Sequence, residues 1–201
     1  MSKRAVTAHP VHDLIATRWS PYGFATRAVD SAVLQSLFEA ARWAPSSYNE
    51  QPWRYLVATK DDSAEFEKLA ACLMDANRAW ASAAPVLALG VASMHFARNN
   101  KPNAAALHDL GQAAAYLTLE ATARGLFVHQ MIGIHPERVR STYEIPAGYE
   151  PLTALAIGHL GDLATLPEAM QERDRATRTR KPLAEIVFQG RWGAGATKIT
   201  G

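Results

Sequence analysis

Residues 113–123 are apolar nearly all round, with only Thr118, Glu120 and Thr122 interrupting. Asn103 can cap the helix that holds this stretch, and Gly125 is well placed as its left-handed stop. A helix with no polar stripe has to be buried on every side. A chain of 201 residues buries a sizeable core but has difficulty enclosing such a helix alone. This one feature therefore points to burial between two subunits.

The other elements arrange themselves around it. Asp30 can cap a helix whose apolar positions Val33, Leu34, Leu37, Phe38 and Ala41 share one face, and Pro45 ends it. Residues 55–58 read as a short buried strand and residues 61–77 as helix. Residues 85–91 are apolar without alternation, the pattern of a strand covered on both faces. Residues 125–131 and 152–158 are further strands, and residues 136–143 form a short helix. The run 173–181 is basic but interleaved with Asp174, and reads as a solvated linker. Ile186-Val187-Phe188 follows as a hydrophobic hook, which can dock on a neighbouring subunit or on its own chain. No internal repeat is present, and the length fits a single domain. On pattern alone α/β and α+β are both open.

Bulk properties remove several functions. A net charge of +2 is too small to argue for nucleic acid or a membrane surface. Cys72 is the only cysteine, so an internal disulfide and a Cys-based metal site are excluded, and a buried thiol in a reducing compartment is expected. The longest apolar stretch, residues 79–94, is broken by Pro85 and falls short of a membrane span. Residues 1–13 lack the apolar run of a secretory signal, and the cytoplasm is the expected location. None of the seven histidines makes a His-Glu-x-x-His pattern, so no metal is expected. A Gly-x-Ser-x-Gly elbow, a Walker loop and a Gly-x-Gly-x-x-Gly turn are also missing.

The loop after the first long helix carries concentrated chemistry. Ala44-Pro45-Ser46-Ser47-Tyr48-Asn49-Glu50-Gln51-Pro52-Trp53 packs hydroxyls and amides between two stiffening prolines. Ser and Asn both donate and accept, which suits the mixed edge of a heterocycle. They equally suit a turn in which they bond only their own backbone. The residues leave both readings open.

Residues 39–54 resemble the signature of nitroreductase-family flavoenzymes through this Pro-Ser-Ser-x-Asn-x-Gln-Pro-Trp core. Arg18-Trp19-Ser20-Pro21 is similar to the family's N-terminal phosphate-binding element, and Asp109-x-Gly111 to the opening of its central helix. Gln130-Met131-Ile132-Gly133-Ile134 resembles its flavin-proximal loop. Arg180-Lys181-Pro182 with Arg191-Trp192 resembles its C-terminal arm. The likeness covers about residues 12–193. It implies an α+β nitroreductase-like fold, with a central mixed β-sheet flanked by helices. It also implies an intertwined homodimer that exchanges C-terminal arms of about residues 173–201, with FMN at the interface.

In that arrangement Arg18, Trp19 and Ser20 line the phosphate or ribityl chain, and arginine's planar fork suits a phosphate. Pro45, Ser46, Ser47 and Asn49 approach the flavin from the partner. Ile132 and Gly133 offer backbone N–H groups near flavin N5 and O4, and Asn77 bonds the ring edge. Arg180 and Arg191 are both candidates for a second phosphate contact. Three departures stand out: Trp19 replaces a second Arg, Tyr22 a basic residue, and His135 an Asp. Arg78 is a substitute for the missing cation near flavin N1.

The activity implied is transfer of hydride or electrons from NADH or NADPH to a nitroaromatic, quinone or related acceptor by a ping-pong exchange. It needs no catalytic acid or base from the protein. Tyr22, His129 and residues 96–105 are unranked pocket contributors. The alternatives are another reaction on the same fold (flavin fragmentation, dehalogenation or azoline dehydrogenation), a non-catalytic flavin-binding dimer, or a purely structural helical dimer.

Overall fold

A computed structural model describes residues 3–196 and residue 199. Its elements in chain order are α1 (Asp13–Thr17), α2 (Ser31–Arg42), β1 (Trp53–Thr59), α3 (Ser63–Ala70), α4 (Asp75–Ala81) and β2 (Val86–Ser93). They continue with α5 (Ala106–Ala123), β3 (Phe127–Met131), α6 (Pro136–Thr142), β4 (Tyr149–Gly158) and α7 (Glu168–Arg175).

The sheet runs β1-β2-β4-β3. Strand β2 is buried from Val86 to Ala92, as its unbroken apolar run requires. Val86, Ala88 and Ala92 face α2 and α5, while Leu87 and Leu89 face α3 and α4. The period of two thus serves two half-cores, one on each side of the sheet. The architecture is α+β. A mixed sheet was expected, but every described pairing is antiparallel. The reason is topological. Strands β2 and β3, joined across α5, run parallel to each other, but β4 lies between them and opposes both.

Residues 61–77 do not form one helix. At residues 72–74 the backbone turns from helix to loop: Met74 N–H donates to Gly133 O (3.0 Å) and His135 N–H to Cys72 O (2.8 Å). Helical propensity is a weak prior and yields to such tertiary partners. The break is useful, because it fixes the residue 132–135 loop. Asp30 stands at the N-cap of α2, yet its side chain makes no capping bond.

Helix α5 stops at Ala123, followed by Gly125 at φ 72°. Leu110, Ala113, Ala114, Leu117 and Ala121 are fully covered, whereas Leu107 and Tyr116 remain exposed. One chain therefore buries half of this helix and leaves the other half open, with Leu107 and Tyr116 at its two edges.

The run 173–181 is no solvated linker. Asp174 is buried (4 % exposed), and its carboxylate accepts from Tyr22 N–H at 3.0 and 3.2 Å. Lys3 donates to the Asp174 carbonyl. Arg178 donates to the carbonyls of Lys3 (2.7 Å) and Ala16 (2.8 Å). Asp174 and Arg178 thus hold the N-terminal segment, while Arg173, Arg175, Arg180 and Lys181 stay exposed. The hook beyond it folds back on residues 194–196: Ala196 N–H donates to Val187 O (3.2 Å) and Phe188 pairs with Gly195. The Trp192 ring lies tilted against Phe188, with centroids 5.1 Å apart, and is 91 % exposed.

Candidate functional site

The loop between α2 and β1 is held from three sides. Asp109, in the first turn of α5 and 1 % exposed, accepts from Ser47 N–H at 3.0 Å. Ser46 Oγ accepts from Gln51 N–H at 3.0 Å. Glu50 reaches across to the next loop and accepts from Ala97 N–H at 2.7 Å. Within this frame Tyr48, Asn49 and Gln51 all adopt positive φ, at 53°, 56° and 52°. Non-glycine residues resist that region, at about 1–3 kcal/mol each, and persist there where surroundings over-determine the backbone. The result is a rigid rim that presents Pro45, the half-buried Ser46 and Ser47, and the exposed Tyr48 and Asn49.

The second group lies at the end of β3. Ile134 N–H donates to Ile132 O (2.9 Å), closing a tight turn around Gly133. The side chain of Asn77 donates to Gly133 O at 3.1 Å. A Cβ at Gly133 would lie 2.2 Å from Asn77 Nδ2, so glycine is required for this approach. Among the described residues the Gly133 N–H has no acceptor, and Ile132 is 79 % exposed. Asn77 is thereby placed as the brace of the turn. Gly133→Ala is expected to cost about 1–2 kcal/mol in urea unfolding, and less in an Asn77→Ala background. Equal losses in both backgrounds would show that Asn77 does not fill that space.

The third group is cationic. Arg18, just after α1, is half-buried and donates to Ser20 Oγ at 3.2 Å. Burial, then the nearby charges of Arg178 and Arg180, hold its guanidinium below the usual arginine range. Burial and Arg180 do the same to Arg178. Among the described residues none of the three arginines has a carboxylate within ion-pair distance. Like charges placed near one another without a carboxylate partner have the chemistry to hold an anion. Arg180 belongs to this cluster. Arg191 sits apart, exposed in the residue 187–196 turn.

Trp19 is a core residue, 8 % exposed, with its ring edge-on to Phe127 at 5.7 Å and Lys3 over its face. Its indole is packed into the core of this chain, where its apolar area is covered. Arg78 pairs with Glu67 at 3.2 Å on the surface. His129 hydrogen-bonds Pro21 O at 2.8 Å through Nδ1 and packs on Trp80 and Tyr22 at 4.4 and 4.8 Å. Burial pushes it below the usual imidazole range, so a neutral ring serves as a brace behind Ser20. Arg178, Asp109 and Glu50 were not singled out as site residues from sequence. Only the Asp109-x-Gly111 opening of α5 signalled one of them.

Within one chain the three groups share no hydrogen bond among the described residues. The loop is tied to α5, the Gly133 turn to α4, and the arginines to the N-terminal segment. No group of three or more His, Cys, Asp or Glu residues able to hold a metal is found among the described residues. Among the described residues no helix is long and apolar enough to cross a membrane.

The fold is thus an α+β sheet layered between helices that carries a serine-rich rim, a glycine turn and a group of arginines without carboxylate partners among the described residues. The chain matches the Nitroreductase family over residues 15–159 and belongs to that family. An oxidoreductase containing FMN superposes with a TM-score of 0.90 at 34% identity, over 96% of this chain and 98% of that one. An uncharacterised 15.4 kDa protein of Mycolicibacterium smegmatis is 47% identical over 85 residues, which are 42% of this chain. The match spans 57% of that relative's length. A proposed NADH dehydrogenase/NAD(P)H nitroreductase of Streptomyces coelicolor is 27% identical over 158 residues, 69% of this chain and 77% of that protein.

Proposed function

We propose that this chain is an FMN-dependent oxidoreductase that passes hydride or electrons from NADH or NADPH to a nitroaromatic, quinone or related small acceptor. The observation that carries this reading is the group of Arg18, Arg178 and Arg180, close enough for their charges to oppose one another and without a carboxylate in ion-pair distance among the described residues. A phosphate monoester fits it. When bound, FMN supplies the carrier that accepts hydride from the nicotinamide and gives it up to the acceptor. The chain's own residues bind and orient. Arg18 and Arg180 would hold the phosphate, with Ser20 Oγ, already bonded to Arg18, available to the sugar chain. The Gly133 N–H would donate to the ring edge that gains electron density, and Ser46, Ser47 and Asn49 would supply the polar wall. No side chain has to move a proton, and the exchange is two-step, with reductant and acceptor using one position in turn.

The working unit is a cytoplasmic homodimer in which C-terminal arms dock on the partner. The uncovered half of α5, bounded by the exposed Leu107 and Tyr116, supports this, as does the mainly apolar groove of about 210 Å³ beside Tyr116, lined by Leu14, Ala40, Tyr116, Leu119 and Glu120. The separation of the three site groups within one chain also fits an FMN site completed by two chains. The test is direct. Protein purified with added FMN is expected to be yellow and to bleach with anaerobic NADH or NADPH, and a panel of nitroaromatics, quinones and enones then ranks acceptors. Protein that takes up no FMN would overturn the proposal.

A further inference from the structure

Beside the rim, Tyr48, Phe96 and Arg98 form a cluster that the flavin reading leaves unused. Tyr48 is 75 % exposed and meets Phe96 edge to face, with ring centroids 5.7 Å apart at 87°. Arg98 lies over both rings, its Cζ 4.2 Å from the Tyr48 centroid and 5.4 Å from that of Phe96. It is exposed and has no carboxylate partner among the described residues. The carboxylate nearest in sequence to this rim, Glu50, is taken up by Ala97 N–H.

That hydrogen bond locks the two loops together, so the three side chains share one frame. The positive φ at Tyr48 turns a large aromatic ring outward instead of into the core. Backbone strain that displays an aromatic ring in water gives nothing to folding, and strain of this kind gathers at ligand clamps. A guanidinium laid over aromatic rings is oriented in advance and keeps its N–H edge free for a carboxylate or phosphate. The exposed ring edges offer edge-to-face contacts to a second aromatic.

We infer that Tyr48, Phe96 and Arg98 form a recognition platform for a planar aromatic ligand that carries an anionic group. This rests on the proposed function, because Tyr48 stands between Ser47 and Asn49 of the flavin wall. Two sources share that chemistry: an acceptor with an anionic substituent, and the phosphorylated adenosine of NADPH.

The experiment compares FMN-loaded wild-type protein with Arg98→Glu and Arg98→Gln. One arm measures kcat/KM for 4-nitrobenzoate against nitrobenzene with a fixed reductant. The other measures NADPH against NADH with a fixed acceptor. Calorimetric titration with 4-nitrobenzoate and with adenosine 2′-monophosphate gives binding without turnover. In wild type the anionic member of one pair is preferred, and Arg98→Glu is expected to lower that preference by at least about fivefold, with a smaller drop in Arg98→Gln. A drop in the first pair assigns the platform to the acceptor, and one in the second to the nicotinamide dinucleotide. If both preferences and both titrations are unchanged in Arg98→Glu, the inference fails. Protein without FMN or turnover counts against the proposed function alone, since the titrations still report on Arg98.

Discussion

Arg18→Ala is expected to leave a protein that folds but is purified nearly free of FMN. Arg18 is half-buried and fixed against Ser20 Oγ, so it meets a phosphate already oriented. Truncating one partner of such a charge-assisted pair costs roughly 2–5 kcal/mol, which is a rise in Kd of about 300-fold at the middle of that range. The apo-protein responds in the opposite sense. Arg18 is crowded by Arg178 and Arg180, so its removal relieves like-charge repulsion. The unfolding midpoint without FMN is expected to stay within about 0.5 kcal/mol of wild type. Arg180→Ala should weaken FMN less, because it is exposed, and Arg191→Ala least. Fluorescence titration of FMN into each apo-variant checks the order. Unaltered FMN affinity in Arg18→Ala would remove the phosphate role, and a collapsed apo-protein would recast the cluster as structural.

How much of this was legible beforehand depends on the range of the interaction. Strand β2 was readable because its lack of alternation is a local record of burial on both faces. Helix α5 was readable from composition, and Gly125 from its position after the last helical turn. The half-open state of α5 was not, since which stripe a single chain leaves uncovered is decided by α2 and the sheet. The split of residues 61–77 was hidden for the same reason: its cause is the pair of backbone bonds to the residue 133–135 loop. The run 173–181 was misread because its polarity resembles that of a linker. Asp174 is buried against Tyr22 N–H, some 150 residues away in sequence, and no local pattern records such a pairing. Trp19 was named from its place between Arg18 and Ser20, yet adjacent residues in extended backbone point opposite ways, so it went to the core. Gly133 was marked by the resemblance, and its close approach to Asn77 now supplies the physical reason.

Asp109→Ala is the change expected to disturb both fold and site. The carboxylate sits in the first turn of α5, where a negative charge is favoured by the helix N-terminus. Its Oδ2 accepts from Ser47 N–H, while Oδ1 meets His108 Nδ1 at 3.1 Å and Gln112 Nε2 at 3.4 Å. Hydrogen bonds to a charged group contribute roughly 1.5–3 kcal/mol, and a buried donor left unpaired adds its own desolvation. Alanine here should therefore lower stability by about 2–3 kcal/mol in urea unfolding. The loss does not stop at stability. With Ser47 released, the positive φ values of Tyr48, Asn49 and Gln51 lose one of their three restraints, and relaxation toward ordinary backbone becomes favourable. FMN affinity should fall although Asp109 faces Ser47 rather than the ligand, which makes it a positioning residue. Asp109→Asn separates the two effects. Its amide oxygen still accepts from Ser47 N–H, so the loop should hold, FMN binding should recover most of the way, and only the charge contribution of about 1 kcal/mol should be missing. If alanine and asparagine weaken FMN binding equally, the Ser47 hydrogen bond is not what shapes the rim.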